Sequence, residues 1–342
     1  MMSSIESHIV FQHDATLKIL HEAVIMTTLS DIERARERIR NHIKETPLRK
    51  SKYLSKLTGS SVYLKLENEQ VTGSFKVRGA LNRLMTLSKE EVAKGVITAS
   101  TGNHGLGVAY AAKLLDISAR VVFPLDASEV KKAKMEKEGV EVIQETGYEE
   151  IETYARQLAK DRGLTYVAPY SDHEIVAGAG TTGLEILEQL NDIDLVIVPI
   201  GGGGLISGVA TAIKAKHPST IIIGVQSEVS PEVYESWIAG HWVEAEESDS
   251  LAQGLMGGVE STSITLDIIK DLVDRVVLVK ESSILQAMRI LYENEGLRIE
   301  GAGAVSTAAL LENAEEFAGK KVVLVLSGGN ISEEEVHSIL KQ

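Results

Sequence analysis

The chain has 342 residues, 44% of them hydrophobic and 25% charged, a balance that suits a folded globular protein with one large core or two modest ones. Its formal net charge is −14 and no Lys/Arg run outlines a nucleic-acid footprint, so the acidity reads as solubility. Cysteine is absent, which excludes disulfides, thiolate catalysis and thiolate-held zinc or iron–sulfur clusters, and fits a reducing, cytoplasmic setting.

Residues 1–30 read as an N-terminal extension. Their most apolar piece, residues 15–26, is broken by Lys18, His21 and Glu22 and follows no basic segment, which argues against a secretion signal. No stretch reaches the length of a membrane span. Ser30, Asp31, Ile32 and Glu33 form a capping-box pattern with Ser30 at the N-cap, opening a helix that runs to about Lys44 and stops before Pro47. A short strand is predicted over 62–66, and a helix starts at Lys76.

From Gly95 the pattern alternates. Strands at 96–99, 120–124, 140–144 and 165–168 are separated by helices at 107–115, 128–138 and 149–160. Further on, LVIVPI (195–200), IIIGV (221–225), RVVLV (275–279) and VVLVL (322–326) are near-continuous apolar runs. Such strands are buried on both faces, which calls for mainly parallel sheets covered by helices. The strands are too many for one sheet of that kind. The expected fold class is therefore α/β, with two open, mainly parallel lobes carrying helices on both faces. No Pro/Gly/Ser linker separates them, so the chain is expected to cross between lobes more than once.

Four segments could carry chemistry, three of them where a strand hands over to a helix or loop, which is where open α/β folds bind ligands. Gly201, Gly202, Gly203 and Gly204 follow the LVIVPI strand. Their bare backbone can approach an anion closely, and the next helix offers free N–H groups, so a phosphate is the natural guest. Neither GxGxxG nor GxxxxGK[ST] spacing is satisfied, which points to a single phosphate and away from a dinucleotide or nucleoside triphosphate. Ser100, Thr101, Gly102, Asn103, His104 and Gly105 form a second turn rich in hydroxyls and N–H groups, suited to a carboxylate or a cofactor edge. Read alone, the turn is better taken as an N-cap with turn residues, and His104 alone as a hydrogen-bonded structural histidine and not a base. The third segment sets Lys76 between apolar residues. A lysine withdrawn from water has a lowered pKa and can act as nucleophile or base, although a surface lysine fits the same spacing. The fourth, Ser327-Gly328-Gly329-Asn330, follows the last apolar strand.

Taken together, GSFKVRGA (73–80), STGNHG (100–105), GGGG (201–204) and SGGN (327–330) resemble, in order and spacing, the fold-type II pyridoxal-phosphate enzymes related to the tryptophan synthase β-chain. Within that family the serine/threonine dehydratase and serine racemase branch is the most similar, and the resemblance covers roughly residues 30–340. It implies a cofactor in a cleft between the two lobes. It further implies a large discontinuous domain (31–92 and 172–342), a small mobile domain (93–171) and a homodimer or homotetramer. The site roles follow by motif. Lys76 would be the Schiff-base lysine and the base that takes the α-proton. Gly201 to Gly204 would hold the phosphate, Asn103 the phenolic oxygen and Ser327 the pyridine nitrogen, with Phe75 packed beside the ring. Ser100, Thr101, Gly102, Asn103 and His104 would receive the substrate carboxylate. The implied activity is α,β-elimination, an ammonia-lyase reaction turning L-threonine or L-serine into 2-oxobutanoate or pyruvate and ammonia.

The chain also departs from the family pattern. Thr101 stands where many dehydratases carry alanine and racemases carry serine, so racemisation stays open and Thr101 joins Lys76 as a candidate catalytic residue. Gln226 replaces an acidic residue of the family's divalent-cation site, leaving Gln226, Ser230 and Glu232 as candidates and the cation undecided. The stretches 177–181 and 298–303 differ from the usual versions, which keeps hydroxyamino acids such as 3-hydroxyaspartate open as substrates. The chain stops about a dozen residues after SGGN, so no C-terminal regulatory domain and no isoleucine feedback are expected. The competing readings are a nicotinamide-dependent oxidoreductase, disfavoured by the failed GxGxxG spacing, and a noncatalytic metabolite-binding protein.

Overall fold

The computed structural model describes residues 27–125, 129–147 and 151–341. The N-terminal extension up to residue 26 lies outside the described residues, as do residue 128 and residues 149–150 of two predicted helices. The first described helix is Leu29–Ile39. Its cap corrects the sequence reading by two residues: Thr28, not Ser30, is the N-cap, and the box closes with Asp31, not Glu33. Both sets fit the spacing rule. Thr28 wins because its backbone is extended while Ser30 already lies inside the helix.

Among the described residues, ten strands form two sheets. The larger has the order β1-β2-β10-β7-β8-β9, built from β1 (Leu48–Lys50), β2 (Ser61–Leu66), β7 (Leu195–Pro199), β8 (Ile221–Ser227), β9 (Arg275–Val279) and β10 (Lys321–Leu326). Only β1 runs antiparallel, against β2 at the edge. The smaller sheet is wholly parallel, in the order β5-β4-β3-β6, from β3 (Val96–Ala99), β4 (Ala119–Val122), β5 (Glu141–Ile143) and β6 (Thr165–Tyr166).

Each apolar run feeds two cores because successive strand residues face opposite sides. Leu195 and Ile197, with Val322, Leu324 and Leu326, face a core roofed by Gly301–Glu312 and Glu281–Glu295. Val196 and Val198, with Val323 and Val325, face the other core, against Gly204–Lys216 and Ile264–Leu272. The small sheet repeats the device. Val96 and Val121 join one cluster, Ile97, Ala99 and Val122 another. A strand leucine such as Leu324, fully buried, gains roughly 1.5–3 kcal/mol from leaving water, so sliding a strand by one residue would exchange every inward contact.

Strand order reverses at β10. It pairs with β2 on one side and β7 on the other, and the chain runs outward from there through β8 to β9. That switch point opens a crevice at the carboxyl ends of the strands. Ser327 leaves β10 there, Gly201 to Gly204 follow β7, and Ser100 to Gly105 follow β3 of the smaller sheet. Among the described residues no helix is long and apolar enough to cross a membrane.

Candidate active site

Lys76 is the first residue of the helix Lys76–Met85. Its Nζ donates to the Pro169 carbonyl at 2.9 Å and lies 5.4 Å from the centre of the Phe75 ring. Burial lowers its pKa from the ordinary lysine value to about 8, with the Glu152 carboxylate acting weakly in the opposite direction. The amine is therefore deprotonated far more readily than a surface lysine. The segment before it is tied to the end of β10. Ser74 forms an isolated antiparallel bridge with Gly328, and Phe75 N–H donates to the Ser327 carbonyl at 3.0 Å.

The Ser100–Gly105 turn leads into the helix Asn103–Leu115. Ser100 Oγ accepts from Gly102 N–H at 3.1 Å and from Gly105 N–H at 2.8 Å, so its hydroxyl shapes the loop from within. Gly102, at the N-cap, offers no side-chain cap, and the first N–H groups of the helix have no carbonyl one turn back. This arrangement favours an anion. Thr101, Gly102 and Asn103 are half-buried. His104 is buried. Its Nε2 faces the Val167 carbonyl at 3.4 Å, while burial, helped by the Lys76 charge, lowers its pKa to about 3. It is thus a neutral ring turned toward the backbone of the smaller sheet.

Asn103 is fixed from two directions. Its Nδ2 donates to Glu300 Oε1 at 2.6 Å, and its Oδ1 accepts from Asn330 Nδ2 at 2.7 Å. A primary amide carries two N–H groups, so one stays available for a ligand. Ser327 is buried, its Oγ donating to the Ala302 carbonyl at 3.4 Å.

In the glycine loop, Gly203 has φ +85°, a conformation that side chains other than glycine rarely adopt, and a Cβ there would meet Ile269 Cδ1 at 2.8 Å and Thr265 Cβ at 2.9 Å. The ring of Tyr170 sits over Gly202 where a Cβ would go. Thr265 Oγ1 donates to the Gly202 carbonyl at 2.7 Å, holding the loop's carbonyl away from its N–H groups. Tyr170 follows Pro169, so the Lys76 contact and the glycine loop are joined through two adjacent residues. A cradle of this kind, beside a desolvated amine and a helix head, fits a phosphate-bearing aldehyde.

The structure thus gathers the Lys76, Asn103 and Ser327 segments and links the glycine loop to them through Tyr170. Sequence reasoning missed Glu300, Tyr170, Pro169 and Glu152. Glu300 stood inside a stretch noted only for its divergence. Tyr170 gave no signal beyond its place after a proline. Gln226, Ser230 and Glu232 point to separate partners. Gln226 Oε1 accepts from Tyr234 N–H at 2.8 Å, Ser230 donates to Glu247, and Glu232 Oε1 accepts from Val259 N–H at 2.6 Å. Among the described residues no group of three or more His, Asp or Glu side chains is placed to hold a metal ion.

Comparison with known proteins agrees with this geometry. The family description "Pyridoxal-phosphate dependent enzyme" matches residues 39–328. The catabolic L-threonine dehydratase TdcB of Staphylococcus aureus (strain N315) is 44% identical over 331 residues, covering 95% of this chain and 94% of the relative. Among solved structures, maize serine racemase superposes with a TM-score of 0.87 at 33% identity, covering 92% of this chain and 97% of that one. The processed form of threonine deaminase isoform 2 from Solanum lycopersicum superposes with a TM-score of 0.86 at 35% identity, covering 92% of this chain and 91% of that one.

Proposed function

Because the chain belongs to the pyridoxal-phosphate dependent enzyme family, we propose that it is an ammonia-lyase that eliminates water from L-threonine or L-serine. The observation that carries this reading is Lys76. It is a desolvated amine with a lowered pKa, bonded to the Pro169 carbonyl and tied into the end of β10. The products are 2-oxobutanoate or pyruvate and ammonia.

When bound, pyridoxal phosphate supplies an electron sink for the pair left at the substrate's α-carbon. The chain's own residues do the rest. Gly201 to Gly204 present N–H groups to the phosphate from a backbone held open by Thr265. Asn103, oriented by Glu300 and Asn330, offers its remaining N–H to the ring's phenolic oxygen. Ser327 would bind the ring nitrogen, and Phe75 would pack beside the ring. The substrate carboxylate is received by the turn Ser100, Thr101, Gly102, Asn103 and His104, where free N–H groups and the helix head favour negative charge. This fixes the α-carbon near Lys76 Nζ, which takes the α-proton. Its lowered pKa suits that task near neutral pH, where a surface lysine would stay protonated.

A second reading rests on Thr101. Its hydroxyl stands on the carboxylate turn, so a proton could be returned from the side opposite Lys76, as racemisation requires. We extend the proposal to a small mobile domain at 93–171, to a homodimer or homotetramer and to a cytoplasmic location. These rest on the family resemblance and, for the location, on the cysteine-free composition.

The test is release of 2-oxo acid and ammonia from a panel of L- and D-hydroxyamino acids, with the visible absorption of the purified protein. A band bleached by borohydride and absent from Lys76→Ala is expected. Protein that cannot bind pyridoxal phosphate would end the proposal.

A further inference from the structure

Arg78 lies two residues after Lys76 in the first turn of the same helix. At about 100° per residue the two side chains leave the helix on opposite sides. Lys76 turns to the cleft, and Arg78 enters a sealed pocket where it is fully buried. There its guanidinium is matched donor by donor. Nε and Nη2 donate to the two oxygens of Glu67 at 2.8 and 2.9 Å. Nη1 and Nη2 donate to the two oxygens of Glu185 at 2.6 and 2.8 Å, and Nη1 also donates to Thr181 Oγ1 at 3.1 Å. Lys65, equally buried, closes the set. Its Nζ donates to Glu185 Oε2 and the Thr46 carbonyl, both at 2.6 Å, and to Gln189 Oε1 at 3.1 Å. Two cations thus face two carboxylates, and the formal charge of the cluster is zero.

Stability alone is a poor reason for such a cluster. Burying four charges costs several kcal/mol per ion in desolvation, and apolar replacements of similar volume are often no less stable. A fully satisfied network does, however, admit one geometry. That matters here because the Lys76–Met85 helix begins without a side-chain cap. Its start is held by the Phe75–Ser327 hydrogen bond and by Gly178, where a Cβ would come within 2.7 Å of Gly79 Cα. Arg78 supplies the third tether, binding that turn to the end of β2 through Glu67 and to the helix His173–Gln189 through Glu185. None of the four charges is among the influences that set the Lys76 protonation state, which come from burial and Glu152.

We infer that Arg78, gripped by Glu67 and Glu185 with Lys65 balancing the charge, is a positioning residue that fixes where the Lys76 amine enters the cleft. This rests on the reading of Lys76 as the working amine. Arg78→Lys keeps the charge and loses the planar fork. A displacement of about 1 Å at a reacting group can cost on the order of 100-fold in rate. With L-threonine and saturating cofactor, kcat is expected to fall about 10- to 100-fold. KM should change less than about threefold, because the carboxylate turn belongs to another element.

Two further measurements isolate positioning. Leu54→Ala, in the core behind β2 and away from the cleft, provides a destabilised control whose kcat should stay near wild type at temperatures where all variants are folded. In cofactor-stripped protein, the pH midpoint for acylation of Lys76, read by mass spectrometry, should lie near 8 in wild type and rise in Arg78→Lys as the amine gains solvent. If Arg78→Lys does not fold, Glu185→Gln is read in the same way. An unchanged kcat with an unmoved midpoint, or equal kcat losses in Arg78→Lys and Leu54→Ala, would overturn the inference. A wild-type protein lacking a Lys76-dependent absorption band would remove the parent reading, whereas that band intact with an unchanged kcat and an unmoved labelling midpoint in Arg78→Lys would remove this inference alone.

Discussion

Asn103 and Glu300, 197 positions apart in the chain, meet at 2.6 Å, with the Asn103 amide donating to the Glu300 carboxylate. The contact joins the turn after β3 of the smaller sheet to the head of the helix Gly301–Glu312, which roofs the larger one. Together with the Asn330 amide it settles which way round the Asn103 side chain stands, and so which of its N–H groups faces the cleft.

Removing Glu300 should therefore weaken cofactor binding without removing a group that bears on the chemistry. A hydrogen bond to a charged partner is worth about 1.5–3 kcal/mol, or roughly 10- to 100-fold in affinity. Glu300→Ala is expected to lose cofactor affinity in that range, and Glu300→Gln less, by equilibrium dialysis of pyridoxal phosphate into stripped protein. Equal affinity in all three would show that Asn103 needs no such support.

The glycine loop yields a second prediction, this time of a rescue. A methyl group at Gly202 would press into the Tyr170 ring, and overpacking of this sort costs about 1–3 kcal/mol. Gly202→Ala should bind the cofactor roughly 5- to 100-fold more weakly. Because the strain is shared by two touching residues, the effects should be non-additive, and Gly202→Ala/Tyr170→Ala should recover most of the loss. If the double variant is worse than either single one, the loop is strained by something other than Tyr170.

Tyr170 and Glu300 also mark how far the sequence could be read. The paired α/β sheets were legible because apolar runs such as 322–326 can only be strands buried on both faces, and the turns after β3, β7 and β10 were legible because glycine and hydroxyl residues cluster there. Lys76 was legible only through the company of the other motifs. The cap of the first helix was misplaced because Thr28 and Ser30 both satisfy the same spacing. Glu300, Glu152 and the Arg78 cluster were not legible, since an ordinary acidic or basic residue acquires its role from partners that only the fold brings near, as Glu300 does from Asn103 and Arg78 from Glu185. Spacing rules see only neighbours.

His104 should make stability depend on acidity. Burial and the nearby Lys76 charge lower its pKa from 6.5 to about 3 in the folded protein. Between those values the unfolded chain binds the extra proton and the fold does not. Its contribution is thus fully present above about pH 6.5 and is lost as pH falls toward 3, at no more than about 1.4 kcal/mol per pH unit. Urea unfolding at pH 7, 6 and 5 should show a shallower decline in His104→Asn than in wild type. Parallel slopes would mean that His104 becomes protonated in place.

On the proposed reading, Thr101 decides between two outcomes of one proton transfer: Lys76 takes the α-proton from one side, and a return from the same side regenerates the L-substrate. Inversion needs a second proton carrier on the opposite side, and on the proposed reading the Thr101 hydroxyl is that carrier. Elimination needs no such group, because it proceeds by loss of the β-hydroxyl. Thr101→Ala should therefore abolish D-serine formation from L-serine while leaving release of pyruvate and ammonia within about tenfold of wild type. Thr101→Ser, which keeps the hydroxyl, should restore D-serine. Chiral chromatography of the reaction mixtures checks both, and the absence of D-serine from all three proteins would reduce Thr101 to a carboxylate-binding role.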